Sequence, residues 1–244
     1  MITPRQAQLL CQIVDTYIKT AEPVSSKLIE KRGFFDLSSA TIRNDMSELE
    51  SVGYISQLHT SGGRVPTAKA YRFYVDNIVN RSDLTPSFES QQRINDAIKS
   101  GEINPVEINK FIARTLSNLS GQAVITAIVG RDEFYKTGIS QLLNFPEFRE
   151  FNRLMDMTNF FDGFESMFDQ LERQFFDRAS VGIKVFIGRE NKVGEIEDES
   201  VITAKYQLPR HFTGSLTLIG PMRMDYLKNT GLINYTIGQL NNLF

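Results

Sequence analysis

The sequence contains no tryptophan, a single cysteine and only two histidines in 244 residues. One cysteine cannot staple a chain to itself, so Cys11 excludes an internal disulfide framework and fits a reducing, cytoplasmic setting. No activating histidine lies near it in sequence, and it sits beside the apolar face of a helical stretch, so it reads as a core thiol rather than a nucleophile. His59 and His211 have no Cys, His or carboxylate neighbours at metal-ligand spacing, which argues against a zinc site. No apolar run approaches the ~20 residues of a membrane-spanning helix. The start, MITPRQAQLL, lacks a basic region followed by an apolar one, so neither a membrane anchor nor a signal peptide is expected. Charge of one sign is lacking too. Residues 1–80 carry nine Lys/Arg against eight Asp/Glu, a net of +1, and residues 81–244 carry 18 against 21, a net of −3. Any contact with nucleic acid must therefore come from a local basic face rather than from bulk charge.

What is present is a globular composition. Hydrophobic residues make up 41%, enough for a sizeable core, and the 18 phenylalanines should dominate its packing. Neither internal repeats nor low-complexity tracts interrupt the chain.

The first 80 residues read as three helices and a flap. Residues 4–20 form a helix with Thr3 as cap and Pro4 at its first position, and Leu10, Ile13, Val14, Tyr17 and Ile18 recur at helical spacing. Ser25 caps a second, short helix that stops at Gly33. Ser38 caps a third over about 39–52, in which Ile42, Met46 and Leu49 share a buried face. That geometry turns Ala40, Thr41, Arg43, Asn44 and Ser47 outward, and Gly53 suits the left-handed position that follows. YISQLHT then reads as a strand, SGG as a tight turn and RVPT as the returning strand, before a further helix from Thr67. Three helices followed by a two-stranded flap is the order of a winged helix-turn-helix.

The polar segment 80–90 is the linker candidate. Helices are expected near 88–100 and 105–119, then a buried strand in GQAVITAIV. Two Phe- and Met-rich helices are expected at about 145–157 and 161–178. Three strands follow in SVGIKVFIG, ESVITAKYQL and GSLTLIG, and a closing helix begins after Gly220. Intermixed strands and helices make this half α+β.

Only the third helix and its flap carry recognisable chemistry. A major groove admits one helix, and there Arg pairs with guanine and Asn with adenine, each good contact giving ~1–3 kcal/mol of discrimination. Arg43 and Asn44 sit on the exposed side, with Thr41 and Ser47 able to reach phosphate or base from the same side. Arg64, at the flap, could follow a minor groove or the backbone, and Lys27 and Lys69 are phosphate candidates. His59, which ends a flap strand, reads as a packing or hydrogen-bonding residue. The acidic run GEIEDES at 194–200 reads as a solvated loop, and GSLTLIGP has two glycines but no phosphate-loop pattern. No catalytic constellation, metal set or cofactor motif is present, so an enzyme is not expected.

The stretch EPVSSKLIEKRGFFDLSSATIRNDMSELESVGYISQLHTSGGRVPTAKAYRFYVD resembles the DNA-binding end of the heat-inducible transcription repressors of the HrcA family, most specifically in SATIRNDM, HTSGGRVPT and YRFYVD. The resemblance resumes in LSNLS, TGISQLLNFPEF, IGREN, SVITAKY and GSLTLIGPMRMDY, and so covers most of the chain. It implies a homodimeric repressor of chaperone genes that binds an inverted-repeat operator in double-stranded DNA. Heat or a shortage of chaperonin, an implied partner, would relieve repression. It also implies a recognition helix over Ser39 to Val52, a wing over His59 to Arg64, and a second domain like a GAF domain. Only about a dozen residues separate LSNLS from FYKTG, where longer family members carry further strands and an inserted dimerisation segment, so the second domain here is reduced.

The expected architecture is thus an α+β chain with three parts. Residues 1–80 form a winged-helix DNA-binding domain, 81–120 a linker and helices, and 121–244 a reduced GAF-like regulatory and dimerisation domain. Two other readings stay open from the residues alone. One is a regulator gated by a small ligand. The other is a winged helix that binds protein instead of DNA.

Overall fold

The computed structural model describes residues 2–57, 63–77, 84–175, 182–191 and 196–244. The chain divides into two compact units, residues 1–82 and 83–244.

The first unit follows its caps. Helix α1 (Pro4–Thr20) opens with a capping box in which the Thr3 hydroxyl accepts from the Gln6 backbone and the Gln6 side chain accepts from the Thr3 backbone. Ser25 caps α2 (Ser26–Lys31), and Ser38 caps α3 (Ser39–Ser51). Gly33 and Gly53 follow those two helices with φ of 69° and 77°, the left-handed backbone that an L side chain resists. Strands β1 (Ile55–Gln57) and β2 (Arg64–Pro66) pair antiparallel, and Val24 adds an isolated antiparallel bridge to Arg64. Helix α4 (Ala68–Asn77) closes the unit over a core of Leu9, Leu10, Ile13, Val14, Ile29, Ile42, Leu49, Ile55, Tyr71 and Tyr74. The expected tip of the flap, His59 included, lies outside the described residues, as do residues 80–83 of the expected linker, whose last three residues open a helix.

The second unit is built on one antiparallel sheet of order β4-β3-β7-β6-β5. Its strands are β3 (Ala123–Ile128), β4 (Phe134–Thr137), β5 (Lys184–Ile187), β6 (Glu199–Leu208) and β7 (Phe212–Pro221). Helices α5 (Phe88–Ser100) and α6 (Pro105–Ser120) belong to this unit. They bury Ile94, Ala97, Ile98, Ile108, Ile112 and Leu116, and α6 packs on the sheet. The register sorts the two sheet faces. Ala123, Ile125, Ala127, Val201 and Ile219 face a cluster formed by Leu142 of α7 (Ile139–Leu142), Phe148, and Met157, Phe160, Phe161, Phe164 and Phe168 of α8 (Phe151–Phe175). The alternate residues face α6, where Thr126 donates to the Asn109 carbonyl at 3.2 Å and Tyr206 to Asn109 Oδ1 at 2.5 Å. Helix α9 (Tyr226–Leu243) packs on β6, α5 and α6.

Three expectations need correction, the first being that residues 194–200 form a solvated loop: Glu199 and Ser200 open β6 and are buried. The Phe-rich segment is one helix of 25 residues, preceded by a 3-10 turn at Pro146–Arg149, and not two helices parted near residue 160. Gly163 lies inside it at a cost of about 1 kcal/mol relative to alanine, but the buried Met157, Phe160, Phe161, Phe164 and Phe168 keep one continuous stripe on the sheet. Strand β4 is a further strand that the sequence pattern does not announce. Its four residues are half-buried at the sheet edge and show no clean alternation.

The short connection between β3 and β4 closes as a hairpin, with the Ile128 N–H donating to Glu133 O at 3.0 Å. The reduced middle of the chain therefore still yields a continuous five-stranded sheet.

Candidate nucleic-acid interface

Helix α3 is held on its inner side and open on its outer one. Ile42, Met46 and Leu49 are buried, as spaced. Arg43, Asn44 and Ser47 are exposed on the opposite face. Among the described residues the side chains of Arg43 and Asn44 have no hydrogen-bond or ion-pair partner. The Ser47 hydroxyl donates to the Arg43 carbonyl at 3.0 Å. Lys27 on α2 is likewise exposed. These four candidates are exposed.

The other four candidates are engaged within the unit. Ser39 is half-buried where α2 meets α3: its hydroxyl lies 3.0 Å from that of Ser26, and its N–H donates to Glu30 Oε1 at 2.8 Å. Thr41 is half-buried, with its hydroxyl 3.1 Å from that of the capping Ser38. Arg64 Nε donates to Glu50 Oε2 at 2.9 Å, and Lys69 Nζ donates to the Val52 carbonyl at 2.8 Å while lying 4.4 Å from the Tyr54 ring centroid.

Two links to α3 were missed in the sequence. Arg5 donates to Asp45 at 2.8 Å, and the Gln6 side chain donates to Glu48. Asp45 is only 3% exposed, so α3 buries a carboxylate on the flank that faces the start of α1. The partners stand 40 and 42 residues apart, and no local spacing announces such a pair.

The strand that returns from the flap is seated by Gly63. A Cβ there would stand 2.6 Å from both the carbonyl carbon and the oxygen of Pro23, and 2.7 Å from the Val24 carbonyl carbon. All three are backbone atoms, so a methyl group cannot be accommodated without separating Val24 from Arg64, whose N–H and C=O groups exchange two bonds of 2.8 Å. Gly63→Ala is therefore expected to open this rung. Amide hydrogen exchange at Val24 and Arg64 should accelerate relative to the wild type while exchange in α1 is unchanged; equal protection of the rung in both proteins would refute the steric account.

Other sites offer less. Among the described residues no three His, Cys, Asp or Glu side chains gather to hold a metal ion. Cys11 is half-buried, and burial, aided by the nearby Asp15 charge, pushes its thiol pKa up to about 11, which suits an inert core thiol. A shallow hollow of about 40 Å³ lies between α6 and the β3–β4 hairpin, lined by Val106, Asn109, Lys110, Ile128, Glu133, Phe134 and Tyr135. It is far smaller than the pockets that enclose small ligands. Its cation, Lys110, is 3.4 Å from Glu107.

Comparison with known proteins agrees with this geometry. Residues 1–78 match the family described as "Winged helix-turn-helix transcription repressor, HrcA DNA-binding", and residues 77–229 match "HrcA protein C terminal domain". Among curated relatives, the heat-inducible transcription repressor HrcA of Thermoanaerobacter sp. (strain X514) is 28% identical over 334 aligned positions, covering 98% of this chain and 96% of that protein. The HrcA of Brevibacillus brevis is 26% identical, covering 100% and 98%. An alignment of 334 positions exceeds the 244 residues of this chain by 90, so the relative carries at least that many residues without a counterpart here. A crystal structure of a hypothetical protein superposes with a TM-score of 0.81 at 21% identity, covering 100% of this chain and 99% of that one, and so shares the fold.

Proposed function

The chain belongs to the HrcA family of transcription repressors, and from that premise we propose that it is a cytoplasmic homodimer that represses chaperone genes by binding an inverted-repeat operator in duplex DNA. The family is one of repressors and not of enzymes. The observation that carries the reading is the pair Arg43 and Asn44, exposed and unpartnered among the described residues, on a helix whose other face is packed away. These are the side chains that make bidentate contacts to guanine and adenine in a major groove. Lys27 supplies a phosphate contact, and Ser47 a phosphate or base contact, beside them. Ser39 and Thr41 fix the entry of the helix. Dimerisation is assigned to the second unit, because a two-fold axis matches two recognition helices to an inverted repeat. Loss of the competent dimer on warming, with a chaperonin restoring it, is the switch that fits a marginally stable fold.

The test is selection from random duplex DNA at near-physiological salt. One inverted repeat should be enriched, with a half-site spacing that reports the separation of the two recognition helices. A folded protein that enriches no sequence would reject the reading and favour a winged helix that binds protein.

A further inference from the structure

The two cations that follow the wing point at the recognition helix rather than away from it. Arg64 has its main chain committed to Val24 on both sides and its Nε committed to Glu50 on the last turn of α3. The pair is largely enclosed, with side-chain exposures of 17% for Arg64 and 32% for Glu50. Lys69 reaches the Val52 carbonyl, one of the acceptors that a helix end leaves unpaired, and it lies against Tyr54. Thr67 adds a third tie, its hydroxyl donating to Gly53 O at 2.8 Å and Tyr54 O at 2.9 Å. The C-terminal end of α3 is thus tied by the side chains of Arg64, Thr67 and Lys69, and the Arg64 charge is paired with Glu50. The exposed cations Lys27 and Arg43 lie on α2 and the N-terminal half of α3.

We propose that Glu50 is a specificity-determining residue that takes Arg64 out of contact with the phosphate backbone. The wing cation then acts as a strut that sets the angle of α3, and sequence-independent attraction stays low. Residues 1–80 carry a net charge of only +1, so a single cation withheld or released is a large part of the electrostatic total. Affinity for any duplex grows with each phosphate neutralised, and base readers such as Arg43 discriminate only above that background. The inference rests on the DNA-binding reading given above.

The experiment measures binding to a random-sequence duplex over a series of KCl concentrations for four proteins: wild type, Glu50→Gln, Arg64→Gln and the double variant. Each neutralised phosphate adds about 0.9 to the slope of log affinity against log salt. Arg64→Gln alone should leave the slope unchanged. Glu50→Gln should steepen it by about 0.9 for each bound protomer, and adding Arg64→Gln to that variant should cancel the gain. A slope flattened by Arg64→Gln alone would show that Arg64 already contacts phosphate and would overturn the proposal. A gain that survives in the double variant would overturn it too, because Glu50 would then act through its own charge. If Arg64→Gln unfolds, Arg64→Met keeps the aliphatic stem and replaces it. Failure of all four folded proteins to bind any duplex would overturn the DNA-binding reading together with this one, whereas binding without coupling between the two sites overturns this one alone.

Discussion

Arg43→Ala is expected to weaken operator binding by about 1–3 kcal/mol for each half-site that loses a bidentate contact, hence about 2–6 kcal/mol when both recognition helices carry the change. The fold should be spared. Arg43 is exposed and has no partner among the described residues, and surface substitutions of that kind stay within about 0.5 kcal/mol. The pattern of the loss matters as much as its size. A base reader, once removed, flattens preference at one position of each half-site and leaves random-sequence affinity nearly intact. A phosphate contact, once removed, weakens binding to every sequence alike and lowers the salt dependence. Arg43→Lys sharpens the distinction, because it keeps the charge and loses the planar fork. Titration of the selected operator and of single-base variants should show lost discrimination for both substitutions, with the random-sequence affinity kept by Arg43→Lys. Uniform weakening by Arg43→Ala would move Arg43 to the backbone, and unchanged operator affinity would remove it from the interface.

The face that carries Arg43 was legible in the sequence because everything that sets it is local. Ser38 caps the helix, Gly53 ends it, and Ile42, Met46 and Leu49 fix which side is buried, all within one stretch of sequence. The commitments of its neighbours were not legible. No local spacing announces that Arg64 donates to Glu50, 14 residues back, or that Lys69 donates to the Val52 carbonyl. The same holds in the second unit. The strands β6 and β7 announce themselves by ten-residue stretches rich in β-branched and other apolar residues, and both of their faces are largely buried. The edge strand β4 has four half-buried residues and exists only because Val124 to Ala127 lie beside it. The continuity of helix α8 across residues 158–160 is decided by phenylalanines that bury against a sheet distant in sequence.

Glu199 gives the second large effect, and its sign follows from burial. The residue opens β6 opposite Pro221 and is 4% exposed. Burial raises its carboxyl pKa from 4.5 to about 7. Arg153 opposes the rise, and Asp198 and Asp156 add to it. Arg153 is itself drawn to Asp198, at 3.1 Å, so its charge is shared. The folded protein holds this proton more tightly than the unfolded chain. Below about pH 4.5 both states are protonated and the residue costs nothing. Between pH 4.5 and 7 the cost grows as the pH rises, and above about 7 it is fully present. A shift of this size corresponds to about 3 kcal/mol. Glu199→Gln keeps the shape without the charge, so it should raise stability by about 2–3 kcal/mol at pH 8 and by almost nothing at pH 4.5. For a domain of this size that is an increase in Tm of roughly 4–12 °C at the higher pH. Thermal unfolding at the two pH values checks it, and the same gain at both would show that Glu199 is not the source. The comparison also reaches the proposed switch. If warming relieves repression by depleting the competent fold of the second unit, Glu199→Gln must raise, at pH 8, the temperature at which operator binding is lost. A stabilised protein that releases DNA at the unchanged temperature would place the switch outside this unit's global stability.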